Sequence, residues 1–118
     1  FQGVVYHANY LKYLERARSQ FLIENNLSQT DAMSQGNESY VVKSINLSYY
    51  HPAILEDELT VETEIELVSK ARTIFFQSVL NTKNDTLICR GEVEVCFIKN
   101  NSGKPKAFPL GFLNLFKN

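Results

Sequence analysis

The chain has 118 residues, 44% of them hydrophobic and 12% aromatic, with a formal net charge of −1. That length fits one domain with one core, and the composition excludes a disordered chain. The near-neutral charge, with no basic stripe, excludes nucleic acid as the main partner, and no apolar run is long enough for an integral membrane segment. There is no signal-peptide pattern. The chain starts at Phe1, without a methionine and inside a patterned block, so a short missing piece is expected ahead of it.

The first block, Gly3-Val4-Val5-Tyr6-His7-Ala8-Asn9-Tyr10, is a short apolar run that passes a glycine and a histidine and opens into a helix. Residues 9–24 read as that helix, with Tyr10, Leu14, Ala17 and Phe21 on one face and Leu11 and Leu22 flanking it. Asn9 suits its N-cap and Asn25-Asn26 its stop. Residues 27–38 are polar and read as a loop with at most a short helical turn.

The period then changes to two. Over residues 41–49, Val41, Lys43, Ile45, Leu47 and Tyr49 share one face, and His51-Pro52 ends the strand. Over residues 59–67, Leu59, Val61, Thr63, Ile65 and Leu67 face one way and Thr60, Glu62, Glu64 and Glu66 the other. A strand with one apolar and one acidic face belongs to an antiparallel sheet with a wet side. After a turn at 69–72, residues 73–80 are apolar on both faces and read as a more central strand. A turn cluster at 81–85 leads to a long strand, 87–97, with Leu87, Cys89, Val93, Val95 and Phe97 on one side. Residues 100–105 read as loop, and Leu110, Leu113 and Phe116 as a short terminal helix or tail. The economical assembly is an α+β architecture, one helix packed across an antiparallel sheet whose last three strands form a meander. Cys89 and Cys96 lie seven apart in one strand, on opposite faces, and read as free thiols of a reducing, cytoplasmic compartment.

The chain lacks a Gly-x-Ser-x-Gly elbow, a phosphate loop, a dinucleotide fingerprint and metal-ligand spacing, so neither a metal nor a cofactor is expected. What remains is the helix entrance. The first turn of a helix carries unpaired N–H donors and a partial positive charge, which suit a developing oxyanion. His7 sits at that entrance, either touching reactants or capping local backbone. Glu15 lies on the helix and is a candidate carboxylate, or a partner for Lys12 or Arg18 one turn away.

The first block resembles the signature of hot-dog-fold acyl-CoA thioesterases of the 4-hydroxybenzoyl-CoA/YbgC type, Asp-x-x-Gly-x-Val-x-(His or Tyr)-x-x-Tyr followed by a helix with Glu-x-Ala-Arg. Gly3, Val5, His7, Tyr10, Glu15, Ala17 and Arg18 match it as they stand, and its aspartate would fall just before Phe1. The resemblance implies a hot-dog fold, one long helix wrapped by a curved antiparallel sheet, here without its first strand. It implies hydrolysis of acyl-CoA or acyl-carrier-protein thioesters by a cytoplasmic homodimer or homotetramer, with the site between subunits. The backbone N–H at His7 would polarise the thioester carbonyl and the aspartate would act as nucleophile or base. Gly3, Val5, Tyr6 and Tyr10 would line the substrate site, and Lys70 and Arg72 would meet the CoA phosphates. The rival readings are a non-catalytic module that binds acyl thioesters or a protein partner, and a hydratase or dehydratase on acyl thioesters.

Overall fold

The computed structural model describes residues 7–54 and 56–117, with side chains from Tyr10 onward. In chain order the elements are α1 (His7–Glu24), α2 (Gln29–Gly36), β1 (Glu38–Tyr49), β2 (Leu59–Ser69), β3 (Arg72–Asn81), β4 (Leu87–Lys99) and α3 (Leu110–Leu113), followed by a 3-10 turn over Asn114–Phe116. The strands form one antiparallel sheet in the order β1-β4-β3-β2, so β2, β3 and β4 make the expected meander and β3 is central.

The strand pattern decides which side is wet. Along β3, Phe75, Gln77 and Val79 are buried on the inner face, while Ile74 and Phe76 are half-buried on the outer one. On β2 the outer positions Glu62, Glu64 and Glu66 are exposed, as the alternation predicts. On β4, Cys89, Val93, Val95 and Phe97 point inward and Cys96 outward, so the two thiols lie on opposite faces.

Helix α1 covers the inner face and joins two apolar clusters. Tyr10 and Leu14 belong to one, with Ala53, Val79, Ile88 and Cys89. Leu22 belongs to the other, with Tyr40, Phe75, Phe97, Phe108 and Phe112. The C-terminal segment closes that second cluster, with Phe108 and Phe112 stacked at 4.1 Å between ring centroids.

Between the clusters lies a polar tie. Gln77 is fully buried; its carbonyl oxygen accepts from Arg18 Nη1 at 2.9 Å. Its amide nitrogen donates to the Leu14 carbonyl at 3.0 Å and to Thr63 Oγ1 at 3.3 Å. Beside Gln77, in register on β4, is Gly91. A Cβ there would stand 2.8 Å from Leu14 Cδ1, so the absent side chain is the notch in which the helix sits.

Three expectations need correction. Helix α1 begins at His7, so Asn9 lies inside it and is not the cap. Residues 29–36 form a true helix rather than a loop. Ser28 caps it by accepting from the Asp31 N–H at 3.1 Å, Asn37 ends it in the left-handed region at φ 51°, and the Gln29 side chain bonds both backbone groups of Tyr40. The Ser28-x-x-Asp31 pattern was the available signal. Finally, Val41 does not share a face with Ile45. The β1–β4 register slips between Val42 and Ser44, and the bulge at Lys43 shifts the alternation by one, so Tyr40 and Val42 point inward before it and Ile45, Leu47 and Tyr49 after it. The stop of α1 is as expected. Asn26 is left-handed at φ 59°, its N–H donates to the Ile23 carbonyl, and the Leu27 N–H returns to the Leu22 carbonyl at 2.7 Å.

Two predictions arise from this core. Arg18→Met removes the donor to a buried carbonyl and should lower stability by about 1–3 kcal/mol, read as a lower denaturant midpoint at unchanged slope. Burial pushes the Cys89 thiol from its ordinary 9.0 up to about 11. Below pH 9 both states keep the proton; between 9 and 11 the unfolded chain releases it while the folded chain holds it, so stability should fall as pH rises through that window. Melting curves at pH 8 and pH 10.5 should show the loss, and Cys89→Ala should reduce its slope.

Candidate active site

The helix entrance is built by the end of the sheet where β1 finishes and β4 begins. Tyr10, only 2% exposed, packs against Tyr49 at 5.9 Å and Tyr13 at 6.3 Å between ring centroids. Burial is the main cause that raises the Tyr10 hydroxyl above its ordinary value, with Cys89 adding to it and a backbone hydrogen bond at Ala53 opposing it. Burial likewise raises Tyr49, again with Cys89 adding to it. These phenols stay protonated at neutral pH and serve as neutral, apolar walls. Tyr10 is thus a core residue under the helix entrance, whichever ligand arrives above it. Gly3, Val5 and Tyr6 lie outside the described residues. His7 is placed as the first residue of α1, and its ring is outside the described set.

Further along α1, Glu15 is exposed and stands at the mouth of a cavity of about 470 Å³ between α1, the start of α2 and the inner face of β1. Arg18, Ser19, Ser28 and Gln29 supply its polar wall, and Tyr40, Val42, Phe75 and Val95 its apolar floor. Arg18 is 8% exposed. Burial lowers its pKa, and Glu15, one turn earlier on α1, opposes that shift. A guanidinium stays charged even so. Glu15 and Arg18 are therefore brought to one cavity without forming a direct ion pair among the described residues.

Lys70 and Arg72 lie elsewhere in the chain's own frame. Lys70 is in the turn between β2 and β3, where its carbonyl accepts from the Phe108 N–H at 2.7 Å, and Arg72 opens β3. Arg72 Nε is 3.4 Å from Glu94 Oε2, on the outer side of the sheet. Arg72 pairs with Cys96, whereas Tyr10 packs near Cys89, so the two places are about 23 Å apart along β4 at ~3.3 Å per residue. One copy of the chain does not bring the helix entrance and the basic turn together.

Gln77 has only one weak signal in the sequence, an amide at an inward position between Phe75 and Val79. For Arg18 the only partner legible in the sequence is Glu15, one turn away; the one it takes, Gln77, is 59 residues away.

The sequence pattern of the thioesterase-like superfamily matches residues 1–116. Over 115 residues the chain is 36% identical to the acyl-CoA thioester hydrolase YbgC of Escherichia coli, a match covering 98% of this chain and 84% of that protein. It is 33% identical over 122 residues to the acyl-CoA thioesterase YbgC of Helicobacter pylori, covering 97% and 88%. Among solved structures, a probable thioesterase from Bartonella henselae superposes with a TM-score of 0.81 at 32% identity, covering 91% of this chain and 86% of that one. A 1,4-dihydroxy-2-naphthoyl-CoA thioesterase from Synechocystis superposes with a TM-score of 0.89 at 21% identity, covering 95% and 82%, a likeness of fold. A near full-length match in sequence, joined to a long helix laid across an antiparallel sheet, places the chain in the thioesterase-like superfamily, among the hot-dog acyl-CoA thioesterases of the YbgC kind.

Proposed function

We infer that the protein hydrolyses acyl-CoA thioesters to a free acid and a thiol. The observation that carries this is the 36% identity to an acyl-CoA thioester hydrolase across 98% of the chain. A thioester is a suitable target for so spare a site, because its carbonyl is weakly resonance-stabilised and its thiolate leaves readily. An oxyanion donor contributes on the order of 3 kcal/mol where one has been removed from an enzyme. In our reading the backbone N–H groups at the start of α1 polarise the carbonyl, and the His7 ring positions the attacking water. A carboxylate immediately ahead of Phe1, as the family signature has it, acts as nucleophile or base, with Glu15 in a lesser role. Gly3, Val5, Tyr6 and Tyr10 shape the acyl and pantetheine path. The thiol carrier is CoA or an acyl-carrier protein.

The reading also needs a second copy. Strand β1 is a sheet edge that exposes Val41, Val42 and Ile45. Antiparallel pairing of two β1 edges about a two-fold normal to the sheet swaps the sheet ends. It sets the partner subunit's Lys70 and the partner subunit's Arg72 at the end where this chain's α1 begins. The assembly is a homodimer, or a homotetramer made of two, and works in the cytoplasm. Support for that compartment comes from two unpaired thiols and from described helices too short or too polar to cross a membrane.

The test is release of free thiol from a panel of acyl-CoAs by the intact protein, followed with a thiol-trapping dye. Turnover is expected; binding without release would replace the enzyme by a binding module. His7→Ala should lower kcat by ~10- to 1000-fold, and wild-type turnover in that variant would return His7 to a structural role. Changing Lys70 and Arg72 together to Ala should raise KM for acyl-CoA and leave kcat nearly unchanged, as loss of uniform binding requires. Light scattering at micromolar concentration should give at least twice the 13.5 kDa chain mass.

A further inference from the structure

We propose that Gln77, with Arg18 and the Gly91 notch, is a positioning device that fixes the register and tilt of α1 on the sheet, and so the place of the helix entrance where the thioester carbonyl is held. The proposal rests on the thioesterase reading and adds three residues to its machinery as positioning residues.

Apolar burial is non-directional. The two clusters that hold α1, one at Tyr10 and Leu14 and one at Leu22, would tolerate small slides and rotations of the helix. The tie between them does not. Gln77 uses its oxygen on Arg18 and both amide hydrogens on Leu14 and Thr63, so every polar atom of the side chain has a defined partner. Leu14 and Arg18 are one helical turn apart, so the amide grips the same face of α1 twice. Thr63 anchors the amide to β2, and β3 itself carries it. On the neighbouring strand, Gly91 leaves the space that Leu14 enters: an added Cβ would come within 2.8 Å of Leu14 Cδ1 and 3.0 Å of Leu47 Cδ2, so the leucine ends would have to shift. Directional bonds and a steric notch meet at one residue, Leu14, which is fully buried.

The lever explains why this matters for turnover. His7 is seven residues from Leu14, about 10 Å along the axis at 1.5 Å per residue. A tilt of about 10° at the seat therefore moves the entrance by about 2 Å at that rise. Misplacement of reacting groups by about 1 Å can cost ~100-fold in rate. The apolar clusters keep α1 on the sheet; the Gln77 tie determines where along it the helix rests.

The decisive variant is the double change Arg18→Met with Gln77→Met in the intact protein. Replacing a buried polar network by apolar side chains of similar volume is often neutral for stability. The expected result is a Tm close to that of the parent, kcat for acyl-CoA lowered ~10- to 100-fold, and KM within about threefold. A second variant, Gln77→Asn, keeps the amide but draws it back by one methylene, and is expected to lower kcat with KM again little changed. A folded double variant with kcat within about twofold of the parent overturns the proposal, and so does a lowered Tm with unchanged kcat per folded molecule, which would make the tie a stability element only. If the double variant does not fold, Gln77→Asn decides by the same criterion. Failure of the parent itself to release CoA overturns the thioesterase reading and this proposal together. Normal turnover in the parent and in the variants overturns this proposal alone.

Discussion

The contact between Leu14 and the middle of the sheet is the constraint on which the rest of the molecule depends. A helix with one apolar stripe and a sheet with one apolar face will associate in many ways. Here the association is narrowed by a side chain that is missing at Gly91 and by one that is polar at Gln77, adjacent positions on adjacent strands. Upstream of that contact the helix lies over Tyr49, Ala53 and Cys89; downstream it lies over Phe75 and reaches the aromatic group closed by Phe108 and Phe112. Both clusters take their positions from the same join.

The two faces of the sheet divide the labour. The inner face carries the core, the cavity at Glu15 and Arg18, and the bed of α1. The outer face carries Glu62, Glu64 and Glu66 on β2, the Arg72–Glu94 pair, and Arg90 set 5.8 Å over the Phe76 ring. Exposed carboxylates of this kind keep an open sheet face hydrated. The Arg90 and Arg72 side chains cover part of the apolar surface that Ile74 and Phe76 leave there.

Much of the fold was legible because its signals are local. Strand alternation gave β2, β3 and β4 with their faces, except at Leu87, which a bulge at Ile88 sets opposite Leu80 on the outer face rather than beside Cys89; helical spacing gave α1, and the Asn25-Asn26 pair its end. What escaped has a common physical cause. Helix α2 is held by Ser28, Asn37 and Gln29 hydrogen bonds, so a search for apolar periodicity passes over it. The Lys43 bulge is set by pairing with β4, a strand about fifty residues later, and no window along β1 reveals it. The same division holds for the site. The entrance motif is contiguous and readable. The Arg18–Gln77 bond spans 59 residues, and the distance between the helix entrance and Lys70 is fixed only once the strands are in register.

The bulge in β1 also bears on how a single copy of the chain fares among other proteins. Among the described residues, a single copy presents an unpaired twelve-residue edge with Val41, Val42 and Ile45 exposed, a ready template for indiscriminate strand addition. At Lys43 that edge is broken: one residue is unpaired, the local twist is increased, and a charge sits between two short runs whose alternation is out of step by one residue. A straight foreign strand can follow either run but not both. The edge therefore admits a strand with a matching irregularity more readily than a regular one, which makes indiscriminate pairing less hazardous for a single copy of the chain.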